Sequence, residues 1–370
     1  MALITPDSFP WSENPLMTDS TEKAMGLLLT GKTDGERSAS LSGFSSLRAL
    51  DQSLKKTHGI TSKAFGDFAK SRSWRFEYGT PFHLPRTLQY LGRDPENRSE
   101  LLIENRLTRF LPINGKQIRA EITLEEKACE VRLFRACGAA EVLAIHQMVR
   151  RLLGLNQPLE GFYQAVKEHP QFGPLTRSLK GVRIPQTPDL WEAMCWAIVG
   201  QQINLVFAYR LRNRLILMGN QVEDLQAVGK RPYRFPTPEQ VLSIPDPLWK
   251  EAQFSRQKKA YLGNLARAFL EGPLGSLSLE RDQAGAAEAA MISVKGIGRW
   301  SSAYGLMRGL GYMDALPVGD TGLRTALQRM FSLQNPPDME KQEKLMEPFR
   351  PYRSLASYYL WKSLDTTANE

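Results

Sequence analysis

The chain has 370 residues, enough for two or three domains with substantial cores. Its 48 Lys and Arg against 39 Asp and Glu leave a formal net charge of +9, and a pI near 9.4, which suits a polyanionic partner. Three cysteines, Cys129, Cys137 and Cys195, argue against a disulfide framework and lack the close pair spacing of a zinc or iron–sulfur site. No apolar run reaches membrane-spanning length, and the N-terminus carries Asp7, Glu13 and several prolines rather than a basic start and an apolar core. A reduced, soluble, cytoplasmic protein is expected.

Residues 1–20 are rich in Pro, Ser and Asp, a composition that predicts poor order. Ala24 to Leu29 reads as a helix. The stretch from Ser42-Gly43-Phe44-Ser45 through Lys55-Lys56-Thr57-His58-Gly59-Ile60-Thr61 suggests two basic helices around a turn. It resembles the last helix-turn-helix of AraC-type regulators over about forty residues. That resemblance implies a remnant or auxiliary DNA contact at residues 1–72, and a generic basic helical pair is the competing reading. Residues 66–75, with Lys70, Arg72 and Arg75, read as a linker.

From residue 73 to 137 the pattern becomes mixed α/β. A helix around Leu84–Leu91 precedes alternating runs at Arg106–Leu111, Gln117–Ile122 and Cys129–Phe134, which predict an antiparallel sheet with one wet face. Asn114-Gly115 is a hairpin turn signal between two of these runs. Helical periodicity takes over from residue 138, beginning with Val142, Ile145, Met148, Val149 and Leu152 on one face. One long helix is predicted from Leu190 to Leu205, capped by Asp189, and others over Leu262–Leu270, Ala284–Met291 and Leu355–Leu364. The expected fold is mainly α with a small α+β domain, divided as 1–72, 73–137 and 138–370.

The most informative stretch is Val294-Lys295-Gly296-Ile297-Gly298-Arg299-Trp300, followed by Ser301-Ser302-Ala303-Tyr304 and closed by Leu316-Pro317-Val318-Gly319-Asp320. Two glycines let a turn present consecutive N–H groups to an anion, and a DNA phosphate is the natural candidate. The whole resembles the helix-hairpin-helix of the base-excision DNA glycosylases. Its wording is most similar to the bacterial 3-methyladenine DNA glycosylase II family, whose helical core follows a TBP-like antiparallel sheet domain.

That resemblance implies a monofunctional glycosylase releasing alkylated purines from damaged double-stranded DNA. Asp320 would be the catalytic carboxylate, stabilising positive charge at C1′ and orienting water, although any aspartate at a helix start can serve as an N-cap. Trp300 stands where bifunctional members carry the lysine that attacks C1′. Trp300, Tyr304, Tyr90 and Trp361 match the aromatic base pocket, with ordinary core packing as the alternative for Tyr90 and Trp361. Gln202 or Ile203 would fill the gap left by the flipped nucleotide. Gln201 either contacts the flanking strand or packs at a helix end. Lys295, Gly296, Gly298, Arg299 and Arg353 would bind phosphates. No cofactor is implied beyond a monovalent cation on carbonyls around Ile292–Ile297. A monomer associated with the bacterial nucleoid is expected, and a non-catalytic DNA-binding protein is the alternative class.

Overall fold

A computed structural model describes residues 19–31, 33–67, 72–222, 231–275, 277 and 284–365. Packing divides the chain into two units: Met1–Arg151 with Gln226–Phe235, and Leu152–Leu225 with Pro236–Glu370.

The first unit opens with helices α1 (Asp19–Thr30), α2 (Gly35–Leu41), α3 (Leu47–His58) and α4 (Ser62–Gly66). Strand β1 (Ser73–Glu77) and helix α5 (Leu84–Leu91) follow, and then β2 (Glu100–Ile103), β3 (Arg106–Ile113), β4 (Lys116–Leu124), β5 (Ala128–Leu133) and α6 (Ala139–Leu152). The five strands are antiparallel in the order β1-β5-β4-β3-β2. Asn114 (φ 49°) and Gly115 (φ 72°) both adopt the positive φ that a two-residue β3–β4 hairpin favours.

One expectation is corrected in this unit. Residues 73–75 of the supposed linker belong to strand β1, because Trp74 and Phe76 alternate inward while Arg75 and Glu77 face out. The described helices within residues 19–67 pack in the same unit as the sheet. The expected pair of helices exists, α2 and α3 joined through Ser42–Ser46, but the inner side of α3 (Leu50, Leu54, His58) and Phe65 of α4 are buried. Glu77 N donates to Gly59 O at 2.7 Å, tying the end of α3 to β1. His146 of α6 accepts from Trp74 Nε1 at 3.1 Å, and its ring centroid lies 4.7 Å from Phe76, 5.4 Å from His58 and 5.8 Å from Phe65. Helices, strand and α6 therefore share one core.

The second unit is helical: α7 (Leu159–Val166), α8 (Phe172–Ser178), α9 (Leu190–Gly200), α10 (Leu205–Gly219), α11 (Pro238–Leu242), α12 (Asp246–Glu251), α13 (Arg256–Leu270), α14 (Ala284–Ile292), α15 (Arg299–Tyr304), a π-helical continuation Gly305–Leu310, α16 (Thr321–Met330), α17 (Met339–Met346) and α18 (Arg353–Leu364). Helix α9 is apolar almost all round and lies at the centre, burying Leu190, Trp191, Met194, Cys195, Ile198 and Val199. Its buried Glu192 is matched by Arg212 of α10 at 2.7 Å. The single helix expected over Leu190–Leu205 is in fact two. Gln202 adopts φ 56°, ending α9, and Asn204 caps α10 by accepting from Phe207 N at 2.9 Å. Among the described residues no helix is long and apolar enough to cross a membrane.

Candidate active site

Asp320 is the N-cap of α16: its Oδ1 accepts from Leu323 N at 2.7 Å. The same carboxylate takes two indole donors, Trp361 Nε1 on Oδ1 at 2.8 Å and Trp300 Nε1 on Oδ2 at 3.0 Å. Residues from three separate helices thus converge on one half-buried carboxyl group. Gly322 makes room for this: a methyl there would stand 3.2 Å from both Asp320 Oδ1 and Trp361 Cδ1. Trp300 stacks on Tyr304, with centroids 5.5 Å apart and planes 27° apart. Tyr304 is buried, so the partly exposed Trp300 is the ring of this pair with accessible surface. The helix period places them on one side of α15.

The hairpin turn lies between α14 and α15. Gly296 has φ 108°, and a Cβ there would meet the Tyr261 ring at 2.3 Å, so both backbone and packing require glycine. A Cβ at Gly298 would meet nothing within 4 Å, and no side chain caps the first turn of α15. Its leading N–H groups are therefore presented at an exposed turn beside exposed Lys295 and Arg299. Arg299 also reaches Glu343 at 2.5 Å, with both side chains solvated. The carbonyls of Val294, Lys295 and Gly296 accept from Ile297 N, Asn264 Nδ2 and Gln201 Nε2. Each carbonyl oxygen keeps a second lone pair, so the stretch is chemically compatible with a monovalent cation.

The loop between α9 and α10 is held tightly. Lys258 Nζ donates to the carbonyls of Ile198, Val199 and Gln201 at 3.1, 2.9 and 2.7 Å. Burial lowers the pKa of this ammonium from its ordinary value. Gln201 Nε2 donates to Gly296 O at 2.9 Å and to Ser301 Oγ at 3.1 Å. Between these anchors Gln202 is exposed and Ile203 half-buried, and exposed Leu205 and Val206 follow.

A family model described as HhH-GPD superfamily base excision DNA repair protein matches residues 195–351, the span that holds the loop, the hairpin and Asp320. A putative DNA-3-methyladenine glycosylase of Bacillus subtilis is 30% identical over 294 residues, covering 77% of this chain and 96% of that one. The chain belongs to the HhH-GPD superfamily of base excision DNA repair proteins. It is a DNA glycosylase, a hydrolase of N-glycosyl bonds. A second Bacillus subtilis protein, DNA-3-methyladenine glycosylase, is 27% identical over 288 residues, covering 76% of this chain and 94% of its own. The 3-methyladenine DNA glycosylase from Archaeoglobus fulgidus shares the fold with a TM-score of 0.66 at 22% identity, over 78% of this chain and 97% of that one.

In this glycosylase, Asp320, Trp300, Tyr304 and Trp361 come together as one cluster. Tyr90 belongs to the other unit, on α5, where the Arg93 guanidinium lies 3.7 Å from its ring centroid. Arg353, expected on a phosphate, is committed inside the protein. Its Nε and Nη2 donate to the two oxygens of buried Asp314, each at 2.8 Å, and Nη2 also donates to Asp314 O at 2.9 Å. Gln201 Nε2 is likewise used internally, on Gly296 O and Ser301 Oγ. Sequence reasoning did not name Lys258, Tyr261, Asn264, Asp314 or Gly322. The loop, hairpin and Arg353 contacts of Lys258, Tyr261, Asn264 and Asp314 all reach residues more than 20 positions away, while for Gly322 its place beside Asp320 in the chain was the available signal.

Proposed function

We propose that this glycosylase excises alkylated purines of the 3-methyladenine kind from duplex DNA, by flipping the nucleotide out and hydrolysing its N-glycosidic bond with help from Asp320. The observation that carries the reading is the Asp320 carboxylate fixed by two indole N–H groups and a backbone N–H. Loss of the base builds positive charge on the sugar, and a carboxylate already oriented there stabilises the transition state more than the ground state. Oδ2 accepts one bond where Oδ1 accepts two, so Oδ2 has the greater remaining capacity for the sugar cation or for the attacking water.

An alkylated purine is electron-poor and often cationic, and an electron-rich indole face attracts it by about 0.5–2 kcal/mol. Trp300 is the candidate face, backed by Tyr304, with Trp361 as a further pocket wall. Gln202, with Ile203 next to it, is the candidate filler for the vacated stack. The hairpin N–H groups with Lys295 and Arg299 would hold phosphates without reading sequence. A monovalent cation on the hairpin carbonyls would add positive charge beside that phosphate. The relatives named as 3-methyladenine glycosylases support the substrate class. With Trp300 at the position of the Schiff-base lysine, the chemistry ends at base release, by a monomer in a reducing cytoplasm.

The test is incubation with duplexes carrying 3-methyladenine, N7-methylguanine or 8-oxoguanine, with chromatography of the freed base and electrophoresis of the strand. Release of the methylated purines from a strand that stays intact until heated in alkali is the expected result. Release confined to 8-oxoguanine, or a strand nicked without alkali, would contradict it.

A further inference from the structure

Helix α13 carries Lys258, Tyr261 and Asn264 at three-residue intervals, a spacing that puts them along one side of a helix. That side faces two features at once. At one end Lys258 Nζ gathers the carbonyls of Ile198, Val199 and Gln201, the last of α9 and the first of the loop. In the middle the Tyr261 ring packs under Gly296, so tightly that no Cβ fits there. At the other end Asn264 Nδ2 donates to Lys295 O at 3.1 Å. Gln201 completes the link, joining the loop directly to Gly296 O and Ser301 Oγ.

We infer that α13 is a brace that sets the distance between the Gln202 turn and the phosphate-binding hairpin, and that Lys258 is the positioning residue on which the turn depends. Gln202 sits at φ 56°, a conformation that L side chains adopt at a cost, so the turn does not hold itself in place. A side chain entering the base stack is pushed back by the bases it separates. A cation on the terminal carbonyls of α9 opposes that push, since it supplies donors to the carbonyls of the last turn, beyond the 3.3 Å bond from Gln201 N to Ile198 O, and lies at the negative end of the helix dipole. With the hairpin clamped to a phosphate, a fixed brace converts backbone binding into a defined depth of insertion.

This inference rests on the proposal that the Gln202 turn fills the vacated stack, and its experiment separates the two. Single-turnover excision of N7-methylguanine is measured for the parent, Lys258→Met and Lys258→Arg, with the lesion either opposite cytosine or opposite an abasic site. Extrusion is costly in the paired duplex and much less so without a partner base, so Lys258→Met should be slower by about 10-fold or more on the paired substrate and within about 2-fold on the other. Lys258→Arg, which keeps a cationic donor, should recover most of the paired rate. Equal losses on both substrates would make Lys258 a merely structural residue, and no loss on either, or no recovery with Arg, would equally overturn the inference. Should Lys258→Met fail to fold, Asn264→Ala removes the other end of the brace at an accessible site and must show the same paired-over-unpaired bias. A parent that releases no base from either duplex would refute the proposed function instead.

Discussion

At the scale of single residues, Asp320 caps α16 through Oδ1, and its proposed work at the sugar would draw on the same carboxylate. As an N-cap it contributes about 1 kcal/mol, a task Ser, Thr or Asn would do nearly as well. The two indole donors have no part in capping, and they fix the rotation of the carboxylate. Trp361→Phe keeps an aromatic ring but deletes the 2.8 Å donor to Oδ1. A hydrogen bond to a charged group contributes about 1.5–3 kcal/mol, so excision should slow by roughly 10-fold or more if the orientation matters in the transition state. Trp361 is partly exposed, so the melting temperature should move little; rates and melts on the same preparation check both. Asp320, Trp300 and Trp361 were legible in the sequence because their order matches a known pattern. That two of them donate to the third was not, since residues 300, 320 and 361 meet only in the folded unit. Arg353 shows the opposite case: a motif arginine whose partner, Asp314, appears only in three dimensions.

At the scale of elements, the break after α9 shows where local pattern runs out. Ala197-Ile198-Val199-Gly200 and Ile203-Asn204-Leu205 read as one apolar helix, and what stops it is tertiary: Lys258 on the last carbonyls and Gln201 on the hairpin. Strand β1 is different, because Trp74 and Phe76 alternate with charged residues in plain view, within a stretch whose basic residues suggested a linker. The contact between α3 and α6 carries a pH dependence. Burial, with the nearby Arg150 charge, pushes His58 down to about 3, and burial pushes His146 well below its ordinary value with His58 and Arg150 adding to it. Both groups are neutral in the fold and accept protons once unfolded. Their stabilising contribution is therefore whole above about pH 6.5 and is lost as the pH falls below it, for His58 down to about 3. Each costs about 1.4 kcal/mol per pH unit in that window. His58→Leu should flatten the decline of unfolding free energy between pH 6 and 5 by about that amount, as denaturant titrations at the two pH values would show.

At the scale of the whole molecule, the chain is a basic glycosylase of two units, and the N-terminal helices belong to the first of them. Deleting residues 1–72 would strip His58 and Phe65 from the ring of His146 and remove buried Leu50 and Leu54 from the unit. Large buried apolar side chains contribute about 2–5 kcal/mol each, so the loss of Leu50, Leu54 and Phe65 is comparable to the whole stability of an ordinary domain, about 5–15 kcal/mol. The truncated protein should be insoluble or lack a cooperative melt for this unit; a soluble product melting like the parent would show the segment to be separable. The central claim concerns Asp320, and Asp320→Asn addresses it directly, because asparagine still caps α16. Single-turnover release of N7-methylguanine at saturating enzyme should fall by about 100-fold or more while duplex affinity stays within about 3-fold of the parent. Release at the parental rate would contradict the account.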